Sequence, residues 1–152
     1  DPGFVESTVT WLIQGTAMGL METRQLHLRA ALQELVMNAV EHGCLELRYH
    51  DKIDAMAKDQ YDELIRQRRT DSRFRDRRVT IRAIYDKRRQ TLTYQIADEG
   101  KGFNWKARLK SGYDVCPPGD ASGRGIFLAH SFFSDIAYND KGNEVTFTVP
   151  LA

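Results

Sequence analysis

The spacing of apolar residues changes once along this chain, and that change limits the available folds more than any other feature. Up to about residue 70, apolar side chains recur every three or four positions, as in helices that bury one face. From residue 79 onward they alternate with polar side chains, as in strands with one buried face. Helices followed by an antiparallel meander predict an α+β domain, a two-layer sandwich whose helices cover one face of the sheet.

The same two patterns give the expected elements. The helical part predicts three helices, at about residues 4–18, 22–41 and 51–69. The alternating part predicts two hairpins, which join residues 79–85 to 92–96 and residues 135–138 to 145–149. A segment marked by glycine and proline, 100–123, and a short helix, 125–133, are expected between the hairpins. Trp11 on the first helix is interpreted as a core or interface residue.

Length and composition are those of one globular domain over residues 1–152. Apolar residues make up 41% of the chain, and no apolar run approaches the roughly 20 residues that span a bilayer, so no membrane segment is expected. Cys44 and Cys116 form no CxxC pair, which argues against a zinc or disulfide scaffold and fits a reducing cytoplasm. Because the sequence begins at Asp1 rather than Met, we interpret it as a domain cut from a longer protein, with processing as an alternative.

Positive charge is concentrated in one stretch, although the net charge of the chain is only +1. Residues 66–89, the basic stretch, contain 11 of the 22 basic residues and three acidic ones, a local charge of +8. Such a run usually forms a basic face that is exposed to solvent. The functional hypothesis is a docking surface for an acidic partner. Direct nucleic-acid binding is not expected, because the chain has no recognised nucleic-acid motif.

Three polar residues recur along the second predicted helix, within the sequence ELVMNAVEHG. Asn38 and Glu41 follow Glu34 by four and seven residues, so a regular helix presents all three on one face. Carboxylate and amide oxygens are the hard ligands that Mg²⁺ prefers, usually with phosphates and water completing the octahedron. A metal-binding face is one interpretation, and a solvent-facing polar stripe is the other.

The sequence ADEGKGF follows the strand that ends near residue 96. Asp98 continues the alternation of that strand and is expected to point toward the covered face of the sheet. A carboxylate there needs a hydrogen-bonding partner, which the amino group of a planar ligand would supply. Gly100 and Gly102 leave room for a flat base against the backbone, although such a turn also occurs as a plain hairpin end.

A third glycine-bearing motif, SGRGIFL, stands where a loop is expected to open a helix. Ser122, Gly123, Arg124 and Gly125 would leave backbone N–H groups free near the positive end of the helix dipole, which makes a phosphate cradle. The motif is neither a P-loop nor the dinucleotide fingerprint, because the lysine of the one and the third glycine of the other are missing. Taken alone, a Gly-x-Gly pair is weak support for a phosphate site.

The order of the three motifs resembles the ATPase superfamily shared by gyrase, heat-shock chaperones, mismatch-repair ATPases and histidine kinases. More narrowly, it resembles the anti-sigma-factor serine/threonine kinase branch of that superfamily. ELVMNAVEHG is similar to the N box, DEGKGF to the first glycine box and SGRGIFLAHSFFSDIAY to the second, so the likeness covers nearly the whole chain. The resemblance implies a pocket for ATP and Mg²⁺ with a lid over residues 103–122.

The resemblance also implies roles for single residues. Asn38 would ligate Mg²⁺, Glu34 would orient or deprotonate the attacking hydroxyl group, and Asp98 would bind the adenine amino group. The other nucleotide contacts are expected from Glu41, Gly100, Gly102, Phe103, Ser122, Gly123, Arg124 and Gly125. The chain departs from the family pattern where Ala121 replaces an arginine, where residues 44–76 form a longer link than usual, and where the leading strand is absent.

These features together predict a cytoplasmic protein kinase that transfers the γ-phosphate of ATP to serine or threonine. The resemblance implies that the substrate is an anti-sigma-factor antagonist and that the partner is that antagonist, a sigma factor or both, with a homodimer left open. A histidine-kinase catalytic domain is the first alternative, and a nucleotide-gated binding module without phosphotransfer is the second. His42 is expected to serve the structure rather than to ligate a metal.

Overall fold

In the described part of the chain, a layer of helices packs against one face of a four-stranded antiparallel sheet. The computed structural model describes residues 1–106, 129–133 and 135–151. Its longer helices are α1 (Val5–Thr16), α2 (Glu22–Asn38), α3 (Tyr49–Ala57) and α4 (Tyr61–Thr70), and shorter helical segments lie at Pro2–Phe4, 105–106 and 129–132. Its strands, in the spatial order β1-β2-β4-β3, are β1 (Val79–Asp86), β2 (Thr91–Asp98), β3 (Ala137–Tyr138) and β4 (Glu144–Pro150). The predicted α+β class is confirmed.

Alternation along β2 and β4 directs one set of apolar side chains into the core. All six residues of three cross-strand pairs on this face are buried: Leu92 with Val149, Tyr94 with Phe147, and Ile96 with Val145. Buried residues of α1 and α2 cover them, among others Val5, Val9, Ile13, Leu28, Leu32 and Leu35. The hydroxyl group of Tyr94 also lies 2.5 Å from Oγ1 of Thr16, which ties the sheet to the end of α1.

Both predicted hairpins are present, and polar side chains hold their turns. In the turn between β1 and β2, Oδ1 of Asp86 accepts the N–H groups of Arg88 and Arg89 at 2.9 and 3.0 Å. In the turn between β3 and β4, Oδ1 of Asn139 accepts the N–H group of Gly142 at 2.7 Å. The turns thereby fix the registers that put the apolar side chains on one face.

The prediction of one regular helix over residues 22–41 is wrong at its C-terminal end. α2 ends at Asn38 and continues as a wider turn of π type over Ala39–Cys44. The N–H group of Leu45 donates to the carbonyl group of Val40 at 2.9 Å, five residues earlier rather than four. This π-type turn rotates the residues after Asn38 away from the face that a period of 3.6 residues would give them.

The third predicted helix, residues 51–69, is two helices. Between α3 and α4, Asp59 has a φ of 56°, a left-handed conformation that a right-handed helix does not contain. Only a few residues of the pair are buried in the core. Ala55 and Ile65 are buried, whereas Ile53 is 40% exposed. Apolar spacing alone therefore did not reveal the break.

The basic stretch runs from α4 to the turn after β1. Within it, Phe74 is buried between the side chains of Arg68, Arg73 and Arg77. Their guanidinium carbons lie 5.2, 5.0 and 5.1 Å from the centre of the ring. Part of the positive charge therefore packs around an aromatic ring as cation–π contacts, while other basic residues, such as Lys87, face solvent.

The outer side of α1 carries exposed apolar residues. Trp11 is 71% exposed, so the interpretation of this residue as part of the core is wrong, and its place in an interface stays a prediction. Phe4 and Met18, seven residues before and after Trp11, are exposed to 65% and 63%. In the described part of the chain, no helix is long and apolar enough to cross a bilayer.

Candidate functional site

A cavity of about 220 Å³ lies where the end of α2 meets the ends of β2 and β4. Asn38 and the π-type turn line it on the helix side, and Ile96 and Asp98 line it on the sheet side. Tyr49 of α3 and the turn between β3 and β4 complete the lining. Small-molecule sites commonly measure about 300–1,000 Å³, so the cavity between the described residues has room for part of a nucleotide-sized ligand.

Asp98 ends β2 and points into this cavity, on the covered face that the alternation predicts. Its Oδ1 accepts the N–H group of Gly100 at 2.8 Å, and Nδ2 of Asn143 donates to its carbonyl oxygen at 2.6 Å. Burial raises the pKa of the Asp98 carboxyl, and the Gly100 N–H and the charges of Lys141 and Arg77 offset part of that shift. A half-buried carboxylate held in this way is oriented to accept a hydrogen bond from an amino group of a ligand.

Two glycines make room for the Asp98 side chain. A Cβ atom on Gly43 would overlap with the carboxyl group of Asp98, and one on Gly100 would overlap with the carbonyl group of Gly43. The π-type turn and the residues after β2 are therefore in direct backbone contact. Gly100 was expected to lie against a flat base, but it is buried against Gly43 and does not line the cavity.

Gly102 and Phe103 line the cavity where the chain crosses the turn between β3 and β4. Gly102 has a φ of 74°, and a Cβ atom there would overlap with the carbonyl group of Lys141. Gly142 has a φ of 76°, and its Cβ would overlap with the carbonyl group of Phe103. The ring of Phe103 packs edge-on against Tyr138 at 5.1 Å between ring centres. This crossing fixes an aromatic wall of the cavity.

Asn38 and Glu34, the candidate metal ligand and catalytic acid–base residue, both belong to α2. Asn38 lines the cavity together with Asp98, so the structure brings these two predicted residues into one site. Glu34 lies one turn earlier, next to the lining residue Leu35, and is not itself part of the lining.

Glu41 does not lie where the sequence pattern placed it. It is 1% exposed, and its carboxylate oxygens bind Nζ of Lys52 at 2.6 Å and the hydroxyl group of Tyr61 at 2.5 Å. The expectation that Glu41 shares a face with Glu34 and contacts the nucleotide is corrected, because the π-type turn directs its side chain toward α3 and α4.

His42 lines the cavity and also holds the chain that leads to α3. Its Nδ1 lies 2.7 Å from the carbonyl oxygen of Leu47. Because a carbonyl oxygen only accepts, Nδ1 carries the proton in this bond. The contact agrees with the structural role predicted for this histidine.

The expected phosphate cradle lies outside the described residues, as does most of the expected lid. This applies to Ala121, Ser122, Gly123, Arg124 and Gly125. The first residues of the lid are described and are bound to the turn between β3 and β4. Nε1 of Trp105 donates to the carbonyl group of Asn139 at 2.8 Å, and Nζ of Lys106 lies 3.3 Å from Oδ1 of Asp140.

Sequence reasoning gave no site role to several lining residues, among them Tyr49, Tyr138 and Asn143. Tyr138 and Asn143 flank an ordinary hairpin turn. The pairing of β2 with β4 brings Asn143 beside Asp98, and Tyr138 packs against Phe103 where the chain crosses that turn. Tyr49 lies in the long link, and its position soon after the His-Gly pair was the one signal that could have identified it. Contacts between distant segments, rather than local patterns, therefore supply much of the lining.

The donor set suits a metal that arrives with phosphate groups. Among the described residues, no group of three or more Asp, Glu, His or Cys side chains could hold a metal ion. Asn38 offers one amide oxygen to the cavity, and Mg²⁺ commonly takes one or two protein ligands and completes its shell with phosphates and water. The residues present therefore fit Mg²⁺ bound together with a nucleotide.

Comparison with known proteins agrees with this arrangement. A family model described as the histidine kinase-like ATPase domain matches residues 8–149, which is nearly the whole chain. No curated protein and no solved structure matches the chain significantly. The matched residues include both sides of the cavity, with Asn38 on the helix layer and Asp98 on the sheet. The chain therefore belongs to the histidine kinase-like ATPase domain family, and it is an ATP-binding domain of that family, which typically binds ATP with Mg²⁺.

Proposed function

We propose that this ATPase domain is a serine/threonine protein kinase of the anti-sigma type, which transfers the γ-phosphate of ATP to an anti-sigma-factor antagonist. One observation carries the proposal: Asp98 and Asn38 line the same cavity. The carboxylate of Asp98 can therefore bind the base of the same nucleotide whose metal ion the amide of Asn38 binds. Family membership over residues 8–149 supports ATP as that ligand. The likeness of the three motifs to the anti-sigma branch supports this kind of kinase over the others.

The chemistry of the base explains the choice of nucleotide. Adenine presents an exocyclic amino group, which donates to the carboxylate of Asp98, whereas guanine presents a carbonyl oxygen at the same position. Two oxygen acceptors would then face each other in a half-buried place, which is unfavourable. Asp98 therefore favours ATP over GTP.

Phosphoryl transfer needs mainly positioning and stabilisation of charge. Asn38, at the end of α2, would hold Mg²⁺, and that ion would neutralise charge on the phosphate groups. Glu34 lies one turn from Asn38, where its carboxylate orients or deprotonates the hydroxyl group of the protein substrate.

The protein partner in this proposal is the antagonist, a sigma factor or both. The exposed part of the basic stretch, which includes Arg78, Lys87 and Arg88, offers an acidic partner a complementary charge. The exposed apolar side of α1 around Trp11 is the corresponding candidate for a homodimer contact.

Calorimetric titration with ATP and MgCl₂ tests the nucleotide site. Asp98→Asn should weaken ATP binding by about 1–3 kcal/mol, because the hydrogen bond from the amino group loses its charged acceptor. Asp62→Asn, at an exposed carboxylate of α4, is the matched control and should bind ATP like the wild type. Equal affinities of the wild type and Asp98→Asn for ATP would remove Asp98 from the site.

Incubation with labelled ATP and candidate antagonists tests the transfer. Glu34→Gln should abolish phosphorylation and retain ATP binding, because the amide keeps the shape of the carboxyl group but cannot accept a proton. Phosphoserine survives acid treatment and phosphohistidine does not, so an acid-labile product would point to a histidine kinase instead. A domain that binds ATP and its partner without transferring phosphate would be a nucleotide-gated binding module.

A further inference from the structure

Helix α3 contributes one residue to the cavity, although it lies outside the three sequence motifs. Tyr49, the first residue of α3, lines the cavity together with Asn38, His42 and Asp98. The long link that contains α3 and α4 was a departure from the expected family pattern. Its first helix is nonetheless part of the wall around the candidate base site.

A buried ion pair holds α3 against the end of α2. The carboxylate of Glu41 binds Nζ of Lys52 in α3 at 2.6 Å and the hydroxyl group of Tyr61 in α4 at 2.5 Å. Burial and the Glu41 carboxylate raise the pKa of Tyr61, so its hydroxyl group stays protonated and donates. Lys52 follows Tyr49 by three residues, which is one helical turn, so both side chains leave the same side of α3.

The linker between the π-type turn and α3 is fixed as well. The N–H group of Leu47 donates to the carbonyl group of Glu41 at 2.8 Å. The carbonyl group of Leu47 accepts from Nδ1 of His42 at 2.7 Å. The N–H and carbonyl groups of Leu47, two residues before Tyr49, are thus both hydrogen-bonded. One turn after Tyr49, Lys52 binds α3 to Glu41.

A buried ion pair is a poor choice where only stability is required. Removing two charges from water costs roughly what their attraction returns, and apolar pairs of similar size serve at least as well. The pair does restrict geometry, because Glu41 must satisfy Lys52 and Tyr61 at once. Its position between the π-type turn and α3 therefore indicates that it fixes α3 relative to the cavity.

We propose that Tyr49 contacts the nucleoside part of the bound nucleotide, and that Glu41, with Lys52 and Tyr61, is a positioning network that holds Tyr49 in place. This inference rests on the proposed ATP site. The aromatic ring of Tyr49 adds apolar surface for the base opposite the polar groups of the cavity. The first turn of α3 is then a functional wall of the site, which α4 supports through Tyr61.

The first test measures ATP and ADP affinity for substitutions of Tyr49. Tyr49→Ala should weaken the binding of both nucleotides by about tenfold, since the base loses the aromatic surface on which it stacks. Tyr49→Phe keeps the ring and should retain most of the affinity. An unchanged ATP affinity in Tyr49→Ala would overturn the inference, and so would a loss confined to ATP, because the ring would then face the γ-phosphate.

The Asp98→Asn variant, measured in the same experiment, distinguishes a failure of the proposed ATP site from a failure of the inference about Tyr49. If Asp98→Asn loses affinity and Tyr49→Ala does not, the proposed ATP site stands and only the inference about α3 fails. If Asp98→Asn binds ATP like the wild type, the proposed site itself fails.

The second test asks whether Lys52 acts through Tyr49. Lys52→Met should weaken ATP binding, whereas Lys58→Met, at an exposed lysine just after α3, should not. Added to Tyr49→Ala, Lys52→Met should cause little further loss, because its effect is transmitted by the missing ring. Additive losses would contradict the positioning role.

Lys52→Met leaves the carboxylate of Glu41 buried with one partner fewer. If that variant does not fold, the double substitution Glu41→Gln with Lys52→Met removes both charges together. Thermal unfolding confirms that each variant is folded before its affinity is compared. A folded double variant with wild-type ATP affinity would overturn the positioning role of the network.

Discussion

Gly43 is the residue whose replacement should disturb the site most directly. Any side chain there would overlap with the carboxyl group of Asp98, which is held in place by the N–H group of Gly100. Gly43→Ala should therefore displace Asp98, lower the stability of the domain by about 1–3 kcal/mol through overpacking, and weaken ATP binding. Urea unfolding and calorimetry measure the two effects separately.

Gly15 offers a matched control for this prediction. It lies inside α1, and a Cβ atom built on it meets nothing within 4 Å. Gly15→Ala should leave ATP binding unchanged and stabilise the domain by up to about 1 kcal/mol, as alanine does in helices. Equal stability and equal ATP affinity of the two alanine variants would show that the close contact at Gly43 does not hold Asp98 in place.

Single residues could be predicted from sequence where the local pattern was regular. The orientation of Asp98 follows from the alternation of β2, which has no irregularity before its end. The place of Glu41 does not follow from regular helical spacing, because the wider π-type turn after Asn38 changes the direction of its side chain. Tyr49 and Asn143 were missed because their neighbours in the cavity are distant in sequence.

At the scale of elements, the hairpins were predicted more accurately than the helices. Period-two alternation and turn residues determine a hairpin locally, and both predicted hairpins are present. The helix breaks depend on backbone conformations, such as the left-handed Asp59 between α3 and α4. The polar sequence around Asp59 contains no glycine or proline that would have predicted the break. The role of Ser122 to Gly125 at the start of a helix remains a prediction, since it lies outside the described residues.

The contact between β2 and the end of α1 can be tested by removing a single oxygen atom. The hydroxyl group of Tyr94 in β2 is 2.5 Å from Oγ1 of Thr16 at the end of α1. Tyr94→Phe should lower the free energy of unfolding by about 1 kcal/mol, because a largely buried hydrogen bond is lost without changing the packing of the ring. Tyr85→Phe, at an exposed tyrosine of β1, should change it by less than about 0.5 kcal/mol. Urea unfolding compares the two, and equal stabilities would show that the contact does not join the layers.

For the molecule as a whole, the ionisation of Asp98 should make the stability of the domain and its affinity for ATP depend on pH in opposite directions. Its pKa in the folded state is raised above that of an unfolded aspartate, so the folded protein holds this proton more tightly. The stability of the ligand-free domain should therefore fall as the pH rises from about 3.9, the ordinary value, through the raised pKa. Binding of the adenine amino group requires the ionised carboxylate, so ATP affinity should fall as the pH decreases.

Thermal unfolding of the wild type and Asp98→Asn between acidic and neutral pH measures the first effect. The variant should be the more stable protein at pH 7, where the wild type carries a half-buried charge without a ligand, and the difference should shrink on acidification. A difference in unfolding temperature that stays constant with pH would show that Asp98 does not titrate differently in the folded state.

The direct backbone contact between Gly43 and Gly100 has a consequence for how this family can diverge. The two glycines come from different motifs and different layers, yet each leaves space that the other motif fills. Neither position can acquire a side chain unless the opposite segment withdraws. Across homologous sequences, we therefore expect the His-Gly end of the first motif and the Asp-x-Gly of the second to be inherited as one covarying unit.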